Sequence, residues 1–89
     1  MELVKQTEQY RLNDMMGEWS VSGNVYNNVN GSISINGVVT FGSEAIGNFN
    51  YSKPVEGNVT FNCETSENNR EVFSNQASTL ITKILTDLK

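Results

Sequence analysis

The sequence predicts an α+β domain: an antiparallel β-meander of four to five strands with one C-terminal amphipathic helix packed on one face. Three observations carry this. From residue 19 to residue 63, apolar side chains fall mostly on odd positions, and Ser, Asn and Thr on even ones. That alternation marks half-buried strands. Turn-forming clusters interrupt it: "NVNG" at 28–31, "GSE" at 42–44 and "SKPVEGN" at 52–58. After "ETSENN" the period changes, and Phe73, Ala77, Leu80, Ile81, Ile84, Leu85 and Leu88 form one stripe at helical spacing.

Taken in order, residues 1–16 fit two readings. Leu3, Val4 and the "DMM" run suit a short helix, whereas Tyr10 and Leu12 alternate with polar neighbours. The alternation favours an edge strand near 3–12. Residues 18–27 and 32–41 then form one long hairpin. The dipeptide Asn36-Gly37 competes with this reading, because Asn-Gly is the pair most favoured in a tight hairpin turn. A reversal there sets Ile35 against Val38 and Ser34 against Val39, so each face of the sheet mixes polar with apolar. A sheet with one buried side resists that. A three-residue loop, Val29-Asn30-Gly31, instead pairs Val25 with Ile35, Gly23 with Gly37, Val21 with Val39 and Trp19 with Phe41.

The third strand is expected at 45–51 and the fourth at 58–63, within a β-meander that spans 18–63. The helix is expected over 68–88, with Asn68 and Glu71 spaced as a capping box. Its stripe is expected to bury against the odd face of the sheet. Gly23, Gly37 and Gly47 form a row on that face, which fits either a sharp bend of the sheet or a close approach by the helix.

At 89 residues the chain is read as a single domain with one modest core. Six basic and ten acidic residues leave a net charge of −4, and Lys5, Arg11, Lys53, Arg70, Lys83 and Lys89 are scattered. A nucleic-acid backbone is therefore not expected as a partner. A mimic of nucleic acid would need rows of carboxylates, and the expected strands carry almost none. No apolar run approaches the ~18–20 residues of a membrane span, and the start lacks the pattern of a signal peptide. A cytoplasmic location is expected, although "NGS" at 30–32 and "NVT" at 58–60 are glycosylation sequons.

Catalytic, cofactor-binding and metal-binding residues are not identified. The chain has no His and one Cys. This excludes Ser–His and Cys–His nucleophile pairs and a cysteine zinc site. Cys63 falls on the core face of a strand and reads as a small buried hydrophobe. Glu67 and Glu71 lie where negative charge complements a helix N-terminus, which accounts for them together with Glu64 without a metal.

What remains is surface. Charged residues make up 18% of the chain, below the usual share of about 25%. Asn, Ser and Thr take their place, and the even face of the sheet is polar yet almost uncharged. Interface cores are depleted in charge in the same way. Tyr26, Val38, Ile46, Asn24, Asn36 and Asn48 are therefore the candidate interaction face, and another protein is the expected partner.

The expected function is a small acidic non-enzymatic protein-binding module. Chains of this size and composition recur among accessory proteins of phages and mobile elements, which suggests an inhibitor or adaptor of a host protein. Two alternatives stand beside it. One is a self-assembling subunit or homodimer, joined by the neutral face or by the unguarded edge strand "NVTFNC". The other is a small-ligand binder with a pocket between sheet and helix, lined by Trp19, Phe41, Phe49, Tyr51 and Phe61.

Overall fold

The computed structural model describes residues 8–88. They form a five-stranded antiparallel meander in the order β1-β2-β3-β4-β5, with a helix across one face. The strands are β1 (Glu8–Met16), β2 (Trp19–Asn27), β3 (Ile33–Phe41), β4 (Glu44–Lys53) and β5 (Thr60–Thr65). A 3-10 turn at Glu67–Asn69 leads into α1 (Arg70–Asp87).

The long hairpin of β2 and β3 has the expected register, with Val25 opposite Ile35, Gly23 opposite Gly37 and Val21 opposite Val39. Asn36-Gly37 runs straight through the middle of β3. The reversal is at Val29-Asn30-Gly31, where the Gly31 N–H donates to the Asn28 carbonyl at 2.9 Å. Gly31 adopts φ 98°, which L side chains rarely tolerate.

The other tight turns control which residues face inward. A two-residue turn joins an odd position to an even one, so it exchanges the parity of the buried face. Gly17-Glu18 does this between β1 and β2, pairing Met16 with Trp19. In β1 the even residues therefore face the helix, and Leu12 and Met16 are buried. Gly42-Ser43 does the same between β3 and β4, pairing Phe41 with Glu44. A β-bulge opposite Val39/Thr40 then restores the original parity, because Val39 pairs with Gly47 while Thr40 pairs with Ala45. Both turns carry glycine first, with φ 64° at Gly17 and 63° at Gly42, as in a type II′ turn.

The core lies between sheet and helix. Leu12, Met16, Val21, Val25, Ile35, Val39, Phe49 and Tyr51 meet Phe73, Ala77, Leu80 and Ile81 of α1. The lower half of the predicted stripe, Ile84, Leu85 and Leu88, is half-buried against the same cluster. The helix approaches the glycine row at one position. A Cβ on Gly47 would meet the Phe73 ring at 3.0 Å, so there the helix lies close. A Cβ on Gly37 would meet the Phe49 ring at 2.6 Å, and one on Gly23 would meet the backbone of Asn36. At all three positions the neighbouring strand takes the space, since a Cβ on Gly47 would also meet the Glu64 carbonyl of β5.

Several expectations are corrected. The first strand runs on to Met16, past the expected end at 12, and the part expected before residue 8 lies outside the described residues. The "DMM" run ends this strand and is not helical. Phe41 is 54% exposed, since pairing between β2 and β3 stops at Ser20–Thr40. Trp19 instead sits across from Met16 and packs against Phe73, with ring centroids 5.8 Å apart and the rings tilted by 39°. β5 begins at Thr60 and runs to Thr65, leaving Val59 exposed outside it. The capping box expected of Asn68 and Glu71 does not form: Asn68 lies within the 3-10 turn, the N-cap of α1 is Asn69, and neither it nor Ser66 caps with its side chain.

Candidate functional site

The face of the sheet away from α1 is open. Its composition follows from the parity rule above. β1 contributes Gln9, Arg11, Asn13 and Met15; the even residues of β2, β3 and β5 and of the later part of β4 contribute the rest.

The registers assemble these residues into rows. Arg11 pairs with Asn24, Asn24 with Asn36, Asn36 with Asn50 and Asn50 with Asn62. Four asparagines thus cross four consecutive strands in one line, with Arg11 at the β1 end. The next row runs Asn13, Ser22, Val38, Asn48 and Glu64. Beyond the first row, Tyr26 lies between Gln9 and Ser34. Within the paired strand residues of this face, Arg11 and Glu64 are the charged side chains, one of each sign on opposite edge strands. Among the described residues neither enters an ion pair; the two pairs present are Arg70–Glu67 and Lys83–Asp14.

Asn24, Asn36, Asn48, Tyr26 and Val38 of the expected interaction face all lie here, and the structure brings them together. Val38 is 51% exposed at its centre. Ile46 does not belong to it. The bulge turns Ile46 toward the helix side, where it is half-buried against the core, and its carbonyl accepts the Thr65 hydroxyl at 2.8 Å. Sequence reasoning missed the β1 residues, Arg11 above all. The signal for them was the Met16–Trp19 turn, which inverts the parity of everything before it.

The amides of the row have bonding capacity to spare. Asn24 accepts a long hydrogen bond from Gln9 Nε2 at 3.4 Å. Among the described residues, the side chains of Asn36, Asn50 and Asn62 make no hydrogen bond within the chain. Each offers a donor and an acceptor to whatever covers it.

The titratable groups with shifted behaviour lie on the helix side. Asp14 accepts the Met15 backbone N–H at 2.7 Å and the Lys83 ammonium at 3.0 Å. Both hold its carboxyl below the ordinary carboxylate range, the backbone bond more strongly. Burial pushes the Cys63 thiol up, against a smaller opposing effect of the Ser74 hydroxyl. Cys63 therefore stays a thiol at neutral pH, which is the less reactive form. Among the described residues no three of His, Cys, Asp and Glu gather as a metal site would require, and no helix is long and apolar enough to cross a membrane.

The aromatic residues expected to line a ligand pocket are dispersed. Phe49 and Tyr51 are buried in the core, Trp19 packs on Phe73, and Phe41 is exposed. Tyr51 and Phe61 do share a shallow groove with Ile81 and Leu85, beside α1. In comparisons with protein-family models, curated proteins and solved structures, the chain finds no match.

Proposed function

We propose that the chain is a non-enzymatic protein-binding module whose contact surface is the open face of the sheet. The observation that supports this is the nearly charge-free row structure of that face. Stripping water from amides and hydroxyls costs less than stripping it from charges, and Val38 at the centre of the face and Tyr26 toward one end add apolar contact. A solvated sheet face normally intersperses Lys and Glu, and this one confines charge to its two edges. An inhibitor or adaptor of a host protein, in a cytoplasmic setting and of phage or mobile-element origin, is the form of this function that size and composition favour.

The test is capture with the immobilised chain. Val38→Asp places a charge in the middle of the face, and Tyr26→Ala removes its largest apolar group. Both are expected to abolish retention of a bound protein while leaving the melting temperature unchanged. Retention by both variants would remove the open face as the contact.

A further inference from the structure

We propose that the protein covering this face is a second copy of the chain, with the two sheets stacked about a two-fold axis that runs along β3. The inference rests on the open face being a protein contact, and it names the partner.

The geometry points to it in four steps. β3 is the middle strand of five. Turning a copy by half a revolution about an axis parallel to β3 lays β1 of one copy over β5 of the other, while each row stays over itself. The asparagine row then faces its own reverse: Asn36 meets Asn36, and Asn24 meets Asn50 of the second copy. Amides are self-complementary, since each carries donors and an acceptor; a row of like charges would repel its own image. In the next row Val38, 51% exposed, meets Val38 of the second copy on the axis. The most accessible apolar group of the centre is thereby buried at the centre of the interface, where binding energy concentrates.

The edge charges complete the match. Arg11 ends one row on β1, and Glu64 ends the adjacent row on β5. The axis brings those two edges together, so the groups lie one row apart, roughly 7 Å along the strand. A guanidinium on its three-carbon stem spans that distance. Two symmetric Arg11–Glu64 pairs result, one at each side of the interface. A different two-fold axis, perpendicular to the strands within the interface plane, would place Arg11 over its own edge strand and lose both pairs.

The area is adequate. Strands of about nine residues at ~3.4 Å, five abreast at ~4.8 Å, offer roughly 600–700 Å² per copy. Standard interfaces bury about 800 Å² per partner, and weaker reversible ones bury less. A dimer that dissociates in the micromolar range fits this size better than a permanent one.

Sedimentation velocity over a wide range of concentration tests the arrangement, using the full chain and the variants V38D, R11E, E64R and the double variant R11E/E64R. Circular dichroism and melting of each variant serve as the check on folding. The wild type is expected to show a monomer–dimer equilibrium. Val38→Asp sets two carboxylates against each other on the axis and is expected to weaken it more than about a hundredfold. Each single charge reversal turns both symmetric pairs repulsive and is expected to weaken it about tenfold. The double reversal is expected to recover the wild-type dissociation constant. A wild type that stays monomeric at millimolar concentration overturns the second copy as occupant. If such a monomer still captures another protein, and Val38→Asp abolishes that capture, the open face remains a contact and only its occupant is wrong. A dimer indifferent to Val38→Asp overturns the stacked arrangement in favour of pairing at the β5 edge. A dimer sensitive to Val38→Asp but not recovered by the double reversal overturns the axis along β3.

Discussion

The chain contains the dipeptide Asn-Gly twice, and the two copies do opposite things. Asn30-Gly31 closes the hairpin between β2 and β3, with Gly31 at φ 98°. Asn36-Gly37, six residues on, lies in the interior of β3, with Gly37 buried against the Phe49 ring. Local preference for a turn is the same at both. What separates them is the face on which the flanking residues land. Reversal at Asn30-Gly31 keeps Val25, Ile35, Val21 and Val39 together on the core side, whereas reversal at Asn36-Gly37 would scatter them. Burying an aliphatic side chain is worth about 1.5–3 kcal/mol each. A turn preference is worth about 1 kcal/mol or less, so hydrophobic register wins.

The sharpest way to break the comparison is to give each glycine a methyl group. At Gly37 the added Cβ would lie 2.6 Å from Phe49 Cζ and 3.1 Å from Val21 Cγ1. Phe49 is fully buried and cannot swing away. Gly37→Ala is expected to cost about 2–3 kcal/mol by overpacking, measured by denaturant unfolding. Pairing it with Phe49→Leu is expected to return part of that loss, because the penalty is one of space. At Gly31 nothing lies within 4 Å of the added Cβ. Gly31→Ala is expected to cost about 1–2 kcal/mol through backbone conformation alone, and no partner substitution returns it.

The asparagines give a smaller and more discriminating pair. Asn30 Oδ1 accepts the Ser32 N–H at 3.0 Å and the Ser32 hydroxyl at 2.7 Å, tying the turn together. Asn30→Ala is expected to lower stability by about 0.5–1 kcal/mol. Among the described residues Asn36 makes no such bonds, and it sits on an open strand face, where Asn is a poor residue. Asn36→Thr is expected to leave stability unchanged or raise it by a few tenths of a kcal/mol. Loss of stability in the monomer at position 36 would mean that its amide is used within the chain.

The smallest effect asks whether the helix helps hold this register. Asp14 on β1 and Lys83 on α1 are joined across 69 positions of sequence. The Lys83 side chain is 61% exposed and the Asp14 side chain 30%, so Lys83→Met is expected to cost no more than about 0.5 kcal/mol. The folded state holds the Asp14 carboxyl below its ordinary range. Its contribution is therefore present above the unfolded carboxylate pKa and is lost as pH falls through the lower folded value. The difference in stability between wild type and Lys83→Met is expected to shrink toward zero on that acidic side. A difference that persists there would assign Lys83 a packing role instead.

Much of this fold was legible in the residues because a half-buried strand writes its orientation into parity. The register of β2 and β3, the loop at 29–31 and the helical stripe all follow from keeping Val21, Val25, Ile35, Val39 and Phe73 on one side. The misplacements have two causes. Parity alone places Ile46 on the open face, but the turn and the bulge before Gly47 exchange parity twice within a few residues; Phe41 keeps its parity and is exposed because pairing between β2 and β3 ends at Ser20–Thr40. The candidate face was legible as a neutral surface, residue by residue along each strand. Its rows were not, because a row is a property of four registers at once.

By itself, then, the order of residues determined the pattern of burial, since alternation and helical spacing are local and each side chain must choose water or core. The tertiary structure alone decided which residues lie side by side. Cross-strand neighbours are set by turn length and by a single bulged residue, and one inserted position moves every later side chain to the other face. Only the assembled sheet draws Arg11 and four asparagines into one line, and sets Glu64 at the far edge of the next.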